Sequence, residues 1–159
     1  MSKVKIGISE ENLKLGGLVL NKILADEFTL YVKLRNYHWN VVGIHFIQLH
    51  KFFEEQYDQI DGIIDEVAER ARQLGSKAVG NLSEYVKISR LKDETEENLS
   101  SKKMLENILQ DHETMATNLR NDIDLFNNEY KDVGTGDFIT GLLQTHEKLS
   151  WLVRSHLEN

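Results

Sequence analysis

Apolar residues recur along most of this chain at spacings of three and four, the period of an α-helix that turns one face to a core. The first such stretch runs through Leu13, Leu20, Ile23, Leu24, Phe28, Tyr31 and Leu34, with Ser9 placed to cap its start. It predicts an amphipathic helix to about residue 40, ended by two β-branched residues and a glycine, Val41, Val42 and Gly43. A second helix, from about 45 to 74, is carried by Leu49, Phe53, Ile60, Ile63, Ile64, Val67, Ala71 and Leu74 and stops at Gly75-Ser76.

From Lys77 to about Ser100 the periodicity breaks down, although residues 82–88 suit two turns of helix. A connection this long is usually functional or structured. A third helix starts near Ser100-Ser101 and carries Met104, Leu105, Ile108, Leu109, Met115, Leu119, Ile123 and Phe126. Gly134-Thr135-Gly136 reads as the turn before a fourth helix, marked by Phe138, Leu142, Leu143, Leu149, Leu152 and Val153. The pattern therefore predicts an all-α four-helix bundle whose long crossover, between the second and third helices, contains a short helix. We expect a short flexible tail over residues 1–9 and a single domain over residues 10–159.

Composition sharpens this reading. The 159 residues suit one domain with its own core. No proline interrupts the helices, and the absence of cysteine excludes disulfides and thiolate metal sites, so any metal must be held by nitrogen and oxygen. No apolar run approaches the roughly 18 residues of a membrane span, and MSKVKIGISEEN lacks the apolar core of a secretion signal. A cytoplasmic protein with no membrane partner is expected. The net charge of −7 opposes nucleic acid and favours small cations.

Five residues able to ligate a metal fall within 32 positions: His38, His50, Glu54, Asp65 and Glu69. The last four form two i,i+4 pairs on one helix, and Asp58 and Asp61 continue the stripe between them. Borderline divalent metals such as iron and zinc take imidazole and carboxylate together. On spacing alone, a solvated acidic face and a metal site both remain open. If it is a metal site, one chain cannot close it. Residues 50 and 65 differ by only about 60° in helical phase but by about 22 Å along the axis. Two copies of the second helix packed antiparallel about a two-fold near Gln59 and Ile60 would bring His50 and Glu54 of one chain to Asp65 and Glu69 of the other. His38 would join from the end of the first helix, folded back at Gly43. None of the six histidines has a Glu three residues before it, so the Glu-x-x-His pair of an intrachain di-iron bundle is missing.

The segments Asn36-Tyr37-His38-Trp39-Asn40-Val41-Val42-Gly43, Phe46-Ile47-Gln48-Leu49-His50-Lys51-Phe52-Phe53-Glu54-Glu55-Gln56-Tyr57 and Asp65-Glu66-Val67-Ala68-Glu69-Arg70 resemble the Dps family of mini-ferritins. His146-Glu147-Lys148-Leu149-Ser150-Trp151 is similar to that family's C-terminal pattern. The resemblance implies a ferritin-like hollow homododecamer built from two-fold dimers. Such a shell oxidises Fe(II), preferentially with hydrogen peroxide, stores the ferric mineral and so protects against oxidative stress. It also implies ferroxidase ligands at His38 and His50 of one subunit and at Asp65 and Glu69 of its two-fold neighbour, with Glu54 at a further ligand position. Iron is then the only cofactor or substrate metal required, with no organic cofactor.

By the same resemblance Trp39 matches the aromatic residue beside the site, an electron donor or a packing residue. Glu55 and Asp58 are candidates for mineral nucleation, and Asp132 and Asp137 for lining three-fold pores, with a solvated surface role open for each. His45, His112, His146 and His156 lack partners at ligand spacing and read as packing or surface residues. DNA-binding members of the family typically carry a longer Lys-rich tail. Here the tail holds only Lys3 and Lys5, so direct DNA binding is not expected.

Overall fold

The structure, a computed structural model, describes residues 4–158 and contains helices but no β-strand among them. Lys3 of the predicted tail lies outside the described residues, while Val4 and Ile8 pack against the core. The helices are α1 (Glu10–Asn40), α2 (Phe46–Gln73), α3 (Leu82–Ile88), α4 (Ser101–Asp124) and α5 (Val133–Leu157). The bundle is formed by α1, α2, α4 and α5, and α3 lies in the crossover against α1. No helix among the described residues is long and apolar enough to cross a membrane.

Side-chain caps fix the starts of α1, α3 and α4. Ser9 Oγ accepts from the Asn12 amide at 3.1 Å, Asn81 Oδ1 from Glu84 at 3.0 Å and Ser100 Oγ from Lys103 at 3.2 Å. Each satisfies an amide that the helix itself leaves unpaired. Between α1 and α2 the chain reverses at Gly43, whose φ of +118° is open to glycine and costly for other residues. The helices bury an apolar face that includes Leu20, Ile23, Leu30, Leu34, Phe53, Ile60, Ile108, Leu119 and Phe126.

One boundary differs from expectation. Gly134-Thr135-Gly136 is the first turn of α5 and not a separating turn. The chain instead leaves α4 through one turn of π-helix (Leu125–Glu129) and breaks at Lys131, which takes a φ of +56°. Asp132 then caps α5 by accepting from the Thr135 amide at 3.0 Å. Gly136 packs closely, because a Cβ there would lie 2.3 Å from Asn127 Oδ1 and would make that side chain move aside.

Buried polar groups hold the crossover on the bundle. Arg90 donates to Asp26 at 2.7 Å and to Asp122 at 2.8 Å, joining the crossover to α1 and α4. Lys33 donates to Asp111 at 2.6 Å and to the Lys92 carbonyl at 2.8 Å. Tyr37 and Asn107 both donate to Glu94. Deleting one member would strand a buried charge, at a cost of roughly 3–5 kcal/mol.

A second polar chain crosses the bundle interior with one residue from each long helix. Glu27 Oε1 lies 2.9 Å from His146 Nε2, His146 Nδ1 lies 2.9 Å from His112 Nδ1, and His112 Nε2 lies 3.0 Å from Gln56 Oε1. His112 and His146 are thus packing residues, as the sequence suggests, but they also tie α1, α2, α4 and α5 together. Burial and the neighbouring His146 push the His112 imidazole well below its ordinary value of 6.5. The unfolded chain therefore binds a proton near pH 6.5 that folded His112 refuses, and the stability this contributes is present above that pH and lost below it. We expect unfolding free energy to fall below pH 6.5 with a contribution of up to about 1.4 kcal/mol per pH unit from this group. Denaturant titrations of wild type and His112→Gln should show the flatter acid limb in the variant; parallel limbs would contradict the assignment.

Candidate metal centre

The reversal at Gly43 lays the last turn of α1 beside the first turns of α2, which brings His38 and His50 together. Their imidazole rings stack, with centroids 3.7 Å apart and planes 21° from parallel. Each ring is held by the other residue's backbone. His38 Nδ1 lies 2.8 Å from the His50 carbonyl oxygen, and His50 Nδ1 lies 2.8 Å from the His38 carbonyl oxygen. A carbonyl oxygen can only accept, so both Nδ1 atoms carry the hydrogen and donate. In each neutral ring the lone pair then resides on Nε2, the tautomer that a metal requires.

Tyr57 closes one side. Its ring stands edge-on to His38 at 5.3 Å, and its hydroxyl donates to Glu54 Oε1 across 3.4 Å. Phe46 borders His50, with centroids 5.1 Å apart. The Arg35 guanidinium sits 4.5 Å from the centre of the Tyr57 ring and 5.3 Å from that of Trp39. His38 is buried and His50 and Glu54 are partly buried.

The remaining ligand candidates lie elsewhere. Asp65 and Glu69 are exposed four and five turns farther along α2, beyond exposed Glu55 and Asp58. Among the described residues, no group of three or more His, Cys, Asp or Glu side chains within the chain could hold a metal. The structure therefore pairs His38 with His50, links Glu54 to them only through Tyr57, and leaves Asp65 and Glu69 exposed on α2. Ile60, proposed as the level of a two-fold contact, is buried in the chain's own core. At that level α2 presents Asp58, Gln59, Asp61 and Gly62 to the outside.

Two other expectations change. Asp132 is buried, and its carboxylate is committed to capping α5 and to Arg70 at 3.7 Å, so it does not line a pore; Asp137 is exposed. Trp39 is 64% exposed, which removes its reading as a residue of this chain's core. His45 is exposed at the start of α2, and His156 packs on Phe52 with centroids 4.4 Å apart. Sequence reasoning overlooked Tyr57 and Arg35, although Tyr57 sits three residues after Glu54, a helical neighbour. It also overlooked Glu27, a charged residue in the apolar stripe between Leu24 and Leu34.

Known proteins resemble this chain in sequence and in fold. A ferritin-like domain model matches residues 18–159. The DNA protection during starvation protein 2 of Bacillus anthracis is 37% identical, with 87% of this chain and 94% of that protein covered. The chain belongs to the Dps family of mini-ferritins. An uncharacterized low temperature-induced protein of Nostoc is similar at 39% identity over 99% of this chain and 88% of that one. The crystal structure of a Dps protein from Vibrio cholerae O1, described as a member of a broad superfamily of ferritin-like diiron-carboxylate proteins, superposes with a TM-score of 0.91. It is 28% identical, with 99% of this chain and 98% of that chain covered.

The tautomer assignment is directly measurable. Nitrogen-15 spectra of histidine-labelled protein without metal, at pH 8, should show His38 and His50 protonated at Nδ1. Resonances from the Nε2–H tautomer at either residue would contradict the paired-carbonyl geometry.

Proposed function

We propose that this mini-ferritin oxidises Fe(II), preferentially with hydrogen peroxide, and stores the ferric product inside a hollow dodecamer built from two-fold dimers. The reading is supported above all by the His38–His50 pair. Two buried or half-buried imidazoles are locked by main-chain carbonyls with both Nε2 lone pairs available, an arrangement that core packing alone does not demand. In it, His38, His50 and Glu54 of one subunit hold the substrate iron with Asp65 and Glu69 of the partner subunit. Imidazole nitrogen and carboxylate oxygen suit iron, and the anionic ligands favour the ferric over the ferrous ion. Exposed Glu55 and Asp58 then offer oxygen ligands for mineral growth, and exposed Asp137 offers one for cation entry.

The shell works in the cytoplasm as a guard against oxidative stress, removing both ferrous iron and peroxide. No DNA-binding role is proposed, because a net charge of −7 per chain repels phosphate.

Subunit mixing tests the shared site. His38→Ala and Asp65→Ala should each abolish rapid peroxide-driven Fe(II) oxidation as pure assemblies. When the two variants are unfolded, mixed equally and reassembled, each mixed dimer regains one intact site, so about a quarter of wild-type activity should return. No recovery in verified mixed assemblies would mean that the two residues do not meet across a dimer interface.

A further inference from the structure

Two oxidisable aromatic residues lie near the candidate ligands, and their settings differ. Trp39 follows His38 in sequence, yet it is 64% exposed and its ring faces the Arg35 guanidinium at 5.3 Å. Tyr57 is 8% exposed and touches two of the candidate ligands at once. Its ring edge meets His38, with centroids 5.3 Å apart, and its hydroxyl reaches Glu54 Oε1 at 3.4 Å. A second tyrosine, Tyr31, stands edge-on to it at 6.1 Å, with its hydroxyl accepting from Arg35 at 2.8 Å.

We propose that Tyr57, and not Trp39, is the one-electron donor of this site when a single ferrous ion meets peroxide. The step presupposes the iron oxidation proposed above and adds a residue to it. Reduction of hydrogen peroxide to water takes two electrons, whereas one Fe(II) supplies one. With no second donor, the O–O bond breaks to release hydroxyl radical. Tyr57 supplies the missing electron while its phenolic proton passes by way of Glu54 to the peroxide oxygen. One peroxide, one Fe(II), the Tyr57 phenol and one further proton then give two waters, Fe(III) and the Tyr57 phenoxyl radical.

A second Fe(II) closes the cycle. It reduces the phenoxyl radical to phenoxide, which recovers its proton, and leaves as Fe(III). The overall stoichiometry is two Fe(II) and two protons per peroxide, the same as for two irons reacting together. The Arg35 cation over the ring disfavours removal of an electron from it, and so makes the radical easier for Fe(II) to reduce. Tyr57 thereby keeps a half-filled site from emitting radicals.

Rapid-freeze electron paramagnetic resonance tests this with assembled protein loaded anaerobically with one Fe(II) per site and mixed with one equivalent of peroxide. Wild type and Trp39→Phe should both give a tyrosyl signal. Tyr57→Phe, which keeps the ring against His38, should lose most of that signal and yield several-fold more spin-trapped hydroxyl radical. Loss of the signal in Trp39→Phe with its retention in Tyr57→Phe would overturn the assignment. So would wild type that oxidises iron in stopped-flow absorbance without any tyrosyl signal. Wild type that oxidises no iron would instead overturn the iron reading and this step with it.

Discussion

The reciprocal clasp between His38 and His50 is the contact on which the functional architecture depends. It does three things with two hydrogen bonds. It joins the end of α1 to the start of α2, fixes the tautomer of both rings and holds each ring's orientation. A ligand side chain on a free rotamer would lose that orientation and bind metal more weakly. Gly43 makes the clasp possible, because the reversal between the helices needs a φ that other residues adopt only at a cost.

The rest of the bundle holds this corner still. Arg90 with Asp26 and Asp122, and Lys33 with Asp111, fasten the long crossover across α1 and α4. The Glu27–His146–His112–Gln56 chain ties all four long helices together inside the apolar core. Polar links of this kind add little net stability but penalise any alternative packing that would leave a member unpaired. Arg70, next to Glu69, donates to Thr135 at 2.8 Å and so anchors the far end of α2 to the start of α5. Both ends of the proposed half-sites are thus set on rigid helix, which suits a site that two molecules must complete in register.

Much of this was readable from residue order. Helical periodicity and the Ser9 cap placed α1 correctly, and residues 82–88 form the short crossover helix as expected, because local signals dominate at those positions. Gly134-Thr135-Gly136 misled, since glycine signals either a turn or a close approach. Only the tertiary contact of Gly136 with Asn127 distinguishes the two. Nor did any local signal mark the break at Lys131, a non-glycine residue at positive φ. At the site, helical phase put His50 and Glu54 on one face of α2, and the expected reversal at Gly43 brings His38 to His50. The main-chain partners of the two histidines and the edge of Tyr57 on His38 were beyond reach, because they depend on the angle at which α1 meets α2.

The proposed chemistry turns on where iron sits between two chains. An anomalous-diffraction map from crystals of the assembled protein soaked anaerobically in Fe(II) would show this directly. Iron density should lie against the Nε2 atoms of His38 and His50 and be completed by Asp65 and Glu69 of the partner subunit. Iron held wholly within one chain, or bound with both Nε2 atoms turned away from it, would contradict the central claim.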